Sequence, residues 1–216
     1  MGFNKILALL FIVTLLFFGC KKEKQEKFDI AAWGDSLTLG LGLQYNSTYP
    51  HRLESLCGKR VYNGGVSGQT SAQIRDRMLS NPDKKDCFVV IWAGRNNYQN
   101  PEDVKADIAK MVASLGHKRY VVLSIINANR NGERKGDVLY SQIINLNREL
   151  ESIYKDRFID VRSYLMTRGK NVGQDLRDVE NDIIPTSLRL DTLHLNEKGY
   201  MEIANLIYST INKYSF

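Results

Sequence analysis

Cys87-Phe88-Val89-Val90-Ile91-Trp92 is a six-residue run without a polar break. So short and continuous an apolar stretch reads as a strand covered on both faces, because a strand with one wet face alternates polar and apolar residues. Val121-Val122-Leu123-Ser124-Ile125-Ile126, with Ser124 its one polar residue, reads as another buried strand. Shorter strand signals lie at 28–33, 60–63 and 158–161. Helical signals alternate with the strands, at 49–57, 71–80, 101–115 (Pro101 in the first turn, Gly116 past the end), 138–154 and 197–211. Within 138–154, Leu139, Ile143, Leu146, Leu150 and Ile153 recur at helical spacing. This alternation predicts an α/β fold, a mostly five-stranded parallel sheet with helices on both faces. The stretch 162–190 shows no clear element and is too long for an idle loop, so it reads as functional or partly helical.

Parallel sheets of this kind bind ligands at the carboxyl ends of their strands. Polar Gly- and Asn-rich clusters follow four of the strands, at 34–36, 64–70, 94–97 and 127–130. All four therefore fall on one edge and mark a site there.

The amino-terminal residues read separately. Lys5, the apolar run 6–18 and Gly19-Cys20 form an export signal, too short for a spanning helix of roughly 20 residues. The ending Leu16-Phe17-Phe18-Gly19-Cys20 resembles a bacterial lipoprotein signal. That resemblance implies a signal peptide over 1–19, a lipid on Cys20, a solvated charged tether over 20–27 and a domain over 28–216. It also implies an exported, membrane-anchored protein on the periplasmic or cell-surface side.

The formal charge of +6 falls to +3 for residues 28–216 once Lys5 and the tether are set aside. No concentrated basic stripe is visible along the chain, which argues against a nucleic-acid partner. Beyond Cys20 there are two cysteines, Cys57 and Cys87, which either pair or remain small buried hydrophobes. No Cys/His spacing suggests zinc, and Tyr45 breaks the dinucleotide pattern that Gly40 and Gly42 begin.

Ser36 lies between the first strand and a turn or short helix, where its N–H faces the position of a developing oxyanion. A hydroxyl is a poor nucleophile until a base takes its proton. Asp191-Thr192-Leu193-His194 supplies a base and, three residues earlier, a carboxylate to fix its tautomer.

Four blocks in order carry a wider resemblance: Gly34-Asp35-Ser36-Leu37, Asn63-Gly64-Gly65-Val66-Ser67-Gly68-Gln69-Thr70, Gly94-Arg95-Asn96-Asn97 and Asp191-Thr192-Leu193-His194. The chain resembles the SGNH (GDSL) hydrolase superfamily over residues 34–194. The resemblance implies a flavodoxin-like three-layer α/β/α sandwich and ester or thioester hydrolysis with no metal or organic cofactor. It assigns Ser36 as nucleophile, His194 as base and then acid, and Asp191 as its orienter. The oxyanion hole would be the N–H groups of Ser36 and Gly68 and the amide of Asn96. Asn97 stands where the family commonly has an aspartate with a hydrogen-bonding structural role.

Asp35, Arg95, Asn97, Tyr98 and Asn127 are expected near the substrate. The polar stretch 127–137 at that edge favours a small acyl group on a hydrophilic carrier, such as an acetylated glycan or cell-wall sugar. The alternative is a lysophospholipase or acyl-thioesterase whose apolar groove is built from Tyr164, Leu165, Met166, Ile183, Ile184 and Leu188. A non-catalytic glycan-binding lipoprotein is a third reading.

Overall fold

The computed structural model describes residues 27–214. The signal-peptide and Cys20 readings, and all of the tether before Lys27, lie outside the described residues.

Five strands, β1 Ile30–Gly34, β2 Val61–Gly65, β3 Phe88–Trp92, β4 Tyr120–Leu123 and β5 Phe158–Ile159, form one all-parallel sheet. Their order is β2-β1-β3-β4-β5. The helices are α1 Ser36–Leu39, α2 Tyr49–Cys57, α3 Ser71–Leu79, α4 Pro101–Ala113, α5 Val138–Tyr154, α6 Val161–Met166, α7 Gly173–Glu180 and α8 Glu197–Ile211.

Side chains alternate across a strand, and each face of this sheet takes one set. Ile30, Ala32, Phe88, Val90, Val121 and Leu123 pack against α2, α6 and α8. Ala31, Trp33, Val89, Ile91 and Val122 pack against α3, α4 and α5. The continuous apolar strands thus feed two cores, as a three-layer α/β/α sandwich requires. Burial of each large side chain contributes about 1.5–3 kcal/mol.

The chain leaves β1 toward β2 on one side and later returns to β3 on the other, so the order reverses between β1 and β3. A crevice opens at the carboxyl ends of strands at such a reversal. Ser36 follows β1 and Asn96 follows β3, one on each side of it.

Two departures from the sequence expectation have local causes. The apolar run 121–126 stops pairing at Leu123. Beyond it, Asn147 of α5 takes the place of a neighbouring strand: its Oδ1 accepts from the N–H of Ile125 at 2.8 Å and its Nδ2 donates to the Ile125 carbonyl at 2.8 Å. The stretch 162–190 becomes α6, α7 and a tight turn at Thr186–Leu188, held by buried carboxylates. Asp178 accepts from the N–H and hydroxyl of Thr186, and Asp175 from those of Ser187. Cys57 and Cys87 are both free thiols, Cys87 bonding to the Phe28 carbonyl.

Replacing Asn147 by leucine keeps the size of the side chain and leaves a buried N–H and carbonyl unpaired, at about 1–3 kcal/mol each. Urea unfolding is expected to show Asn147→Leu destabilised by about 3 kcal/mol. A variant within about 0.5 kcal/mol of the parent would refute this role for Asn147.

Candidate active site

β1 ends at Gly34 and the chain turns at once into α1. Asp35 caps that helix, its Oδ1 accepting from the N–H of Leu37 at 2.9 Å. Ser36 is therefore the first helical residue, and among the described residues no protein acceptor is bonded to its N–H. The turn of α1 rests on Gly65 of β2: a Cβ there would lie 2.0 Å from the N atom of Leu39. Only glycine lets the two backbones approach this closely.

His194 arrives from the other end of the chain, in the loop that precedes α8. Asn196 shapes that loop. Its Oδ1 caps α8 at the N–H groups of Lys198 and Gly199, and its Nδ2 donates to the carbonyls of Ser187 and Arg189. Arg189 in turn donates to the Asp191 carbonyl and pairs with buried Asp178 at 3.0 Å.

Asp191 Oδ1 accepts from the N–H groups of Leu193 and His194, both at 2.7 Å, and Oδ2 lies 2.8 Å from His194 Nδ1. Burial alone would raise the Asp191 carboxyl. The Leu193 N–H, the His194 ring and the His194 N–H outweigh it and hold the group below the usual carboxylate range. An ionised carboxylate only accepts, so Nδ1 carries the proton and the neutral ring leaves Nε2 as an acceptor. Ser36 Oγ lies 3.0 Å from that Nε2 and donates to it. The arrangement can take a proton from Ser36 and hold the resulting imidazolium.

Asn96 sits beside this pair. Its Nδ2 donates to Asp35 Oδ2 at 3.2 Å and to the Gln69 carbonyl at 2.9 Å. Both amide hydrogens are thus occupied, and donation to a substrate requires exchanging the longer bond. Gly68, with φ +77°, immediately precedes Gln69 and shares this loop. Arg77 of α3 steadies the loop, donating to Gln69 Oε1 and to the carbonyls of Gly34 and Gly64. Nothing in the spacing of α3 distinguishes Arg77 in sequence from a surface arginine.

The residues expected to face substrate are largely turned inward. Arg95 is 4 % exposed and paired with Glu133, itself fully buried, at 2.9 Å. Tyr98 donates to the same carboxylate at 2.8 Å, as does the N–H of Ala128 at 2.7 Å. Burial pushes Glu133 up, yet Arg95, the Ala128 N–H, Tyr98 and Arg130 together bring it below its ordinary value. Asn127 bonds to the carbonyls of Glu133 and Asp182 and accepts from Arg162. Asn97 accepts from the N–H of Ser71 and donates to its hydroxyl, fixing the start of α3. The polar stretch 127–137 is therefore substantially an internal scaffold, because Glu133 supplies a buried charge that its neighbours must satisfy. Glu133 is the site-edge residue that sequence reading passes over; a lone glutamate among Arg130, Arg134 and Lys135 resembles surface charge.

A cleft of about 200 Å³ opens between Asn96, Gln99, Arg130 and Leu193, walled by buried Arg95 and Tyr98 and part-buried Asn97. A more apolar cleft of about 450 Å³ lies past the end of α1, lined by Leu39, Leu41, Leu43 and Tyr45. The apolar side chains suggested for a groove do not form one: Leu165, Ile184 and Leu188 belong to the core, and Ile183 is buried. Among the described residues no group of three or more His, Cys, Asp or Glu side chains could hold a metal ion.

Comparison with known proteins agrees with this architecture. The model of the GDSL-like lipase/acylhydrolase family matches residues 32–201. Among solved structures, a GDSL-like lipase from Bacteroides thetaiotaomicron superposes with a TM-score of 0.66 at 23% identity, covering 86% of this chain and 88% of that one. An acetyl-xylooligosaccharide esterase mutant from Geobacillus Stearmophilus gives 0.64 at 17% identity, over 85% and 94%. A member of the lipolytic protein G-D-S-L family from Veillonella parvula gives 0.62 at 16%, over 83% and 96%. These likenesses establish the fold. No curated protein matches the chain.

Asp35 gives the site a pH signature. Burial pushes its carboxyl up to about 6, against the Leu37 N–H and the charges of Arg95 and His194. The folded chain holds this proton more tightly than the unfolded chain. The associated stability is therefore complete below about pH 4 and is lost as pH rises through about 6. Relative to Asp35→Asn, the parent is expected to lose up to about 3 kcal/mol between pH 4 and 7.5, read by urea unfolding. A pH-independent difference between the two would contradict it.

Proposed function

Because the chain belongs to the GDSL-like lipase/acylhydrolase family, we propose that it is a serine ester hydrolase, with Ser36 as nucleophile, His194 as base and acid, and Asp191 as orienter. The observation that carries this reading is the continuous chain Asp191–His194–Ser36, at 2.8 and 3.0 Å. The Ser36 proton passes to His194 Nε2 as Oγ bonds to the ester carbonyl carbon. The resulting oxyanion accepts from the N–H groups of Ser36 and Gly68 and from Asn96, which gives up its longer bond. His194 then returns the proton to the leaving alkoxide, and an acyl-Ser36 ester remains. Water, deprotonated by the same nitrogen, hydrolyses it to the free acid and restores Ser36.

The proposed substrate is an acetyl or other short acyl ester on a hydrophilic carrier, such as an acetylated glycan or cell-wall sugar. The small polar cleft at Asn96, Arg130 and Leu193 supports this choice. The Leu39–Tyr45 cleft favours a second reading, with a longer acyl chain lying past α1 as a lysophospholipase or thioesterase would need. The proposed setting is that of an exported lipoprotein held to a membrane through Cys20, as the sequence 1–27 suggests.

Ser36→Ala is expected to lower kcat by about a thousandfold or more. Asn96→Ala should lower it about 100- to 1000-fold with KM little changed, the cost of one oxyanion donor. Wild-type turnover in either variant would remove that residue from the mechanism. p-Nitrophenyl acetate should be cleaved with a higher kcat/KM than the octanoate; the reverse order would favour the second reading.

A further inference from the structure

The amino edge of the sheet, opposite Ser36, gathers charge that no single stretch of sequence displays. Lys59-Arg60, Lys84-Lys85 and Lys118-Arg119 lead into β2, β3 and β4. Lys155 and Arg157 lead into β5, Lys27 precedes β1 and Lys213 follows α8. The segments meeting here (27–29, 58–60, 80–87, 114–119, 155–157 and 212–214) hold ten lysines and arginines against four aspartates. The connections leaving the carboxyl edge (35–48, 66–70, 93–100, 124–137 and 160–196) hold nine charges of each sign, so the excess belongs to one face. Helix carboxyl ends attract cations, which accounts for one residue per connection but not for repeated doublets.

Exposed apolar residues lie beside the same edge. Leu56, Leu79 and Ile153, each in the last turn of its helix, are 36%, 38% and 53% exposed. A cationic surface studded with apolar side chains complements an anionic bilayer: headgroups take the charges and the interfacial layer takes the side chains. The chain ahead of the domain joins at this edge too. Lys21-Lys22-Glu23-Lys24-Gln25-Glu26 connects it to Cys20, so a lipid there would bring the membrane to this face.

We propose that the amino edge docks on anionic phospholipid headgroups, leaving the Ser36 edge turned away from the membrane. Docking stands independently of ester hydrolysis; only the description of the outward edge as substrate-facing rests on the proposed function. A membrane so placed presents the site to acyl groups beyond the bilayer rather than to lipids within it.

Residues 21–216 contain both cores entire, from Ile30 to Ile211. That chain can be sedimented with vesicles of phosphatidylcholine, alone or with roughly a third phosphatidylglycerol, at about 50 and about 500 mM salt. Binding is expected with the anionic vesicles at low salt only. The triple variant Lys118→Glu, Lys155→Glu, Lys213→Glu should bind at least about tenfold more weakly. Arg134→Glu, Lys135→Glu, Arg177→Glu, of equal net charge at the opposite edge, should stay within about threefold of the parent. The corresponding glutamine variants, with half the charge change, should fall between if the glutamate set unfolds. Equal losses in the two sets, equal binding to neutral vesicles, no binding to anionic ones, or tighter retention on heparin or DNA would each overturn the proposal. Vesicle-bound protein should cleave p-nitrophenyl acetate at the free rate. Activity that is present in solution and lost on vesicles would overturn the outward orientation. Absence of activity in both states would count against the proposed function and leave docking intact.

Discussion

A 3.0 Å contact between Ser36 Oγ and His194 Nε2 joins residues 158 positions apart. Ser36 has no base beside it in sequence, and His194 has its orienting carboxylate there but not its hydroxyl partner. Their meeting depends on a parallel sheet whose strand order reverses between β1 and β3, and on a last helix that begins at the same edge where β1 ends. Closing so long a loop costs conformational entropy that no single hydrogen bond repays. The two apolar cores supply that stabilisation. The contact is a consequence of packing before it is an element of chemistry.

Buried charge shapes the rest of the site. Asp35 caps α1 and holds Asn96, Asp178 steadies Arg189 behind Asp191, and Glu133 gathers Arg95, Tyr98 and Arg130. Each carboxylate is costly to bury unless its partners are in place. Loops at this edge are consequently held by side chains where a sheet ladder is lacking, and Ser36, Asp191 and His194 sit on that support. Asp191 differs in being half exposed, its side chain 52% accessible, and relies on backbone N–H donors for its ionised state.

Much of this was legible in the chain. Apolar runs announced β3 and β4, helical spacing placed α5 at its observed limits, the helical reading of 197–211 matches α8, and the polar clusters marked the carboxyl edge. Motif order brought Ser36, Asp191 and His194 forward together. What escaped was chiefly side-chain direction. Residues 127–137 look like a polar rim, yet Asn127 and Glu133 point inward, because sequence polarity does not distinguish a solvated group from one satisfied by buried partners. Tyr164, Leu165, Met166, Ile183, Ile184 and Leu188 look like a loop groove, but the helix α6 and the turn after α7 bury four of them, Leu165, Ile183, Ile184 and Leu188. The basic amino edge was invisible for a different reason: it is assembled from doublets tens of residues apart, which only the parallel topology aligns.

The central claim is that Ser36 becomes covalently acylated through His194, and trapping tests it most directly. Intact-mass and peptide analysis after exposure to a reactive organophosphonate should find one adduct, on Ser36, forming far more slowly in His194→Gln. An adduct on another residue, or labelling of Ser36 at an unchanged rate without His194, would contradict the account.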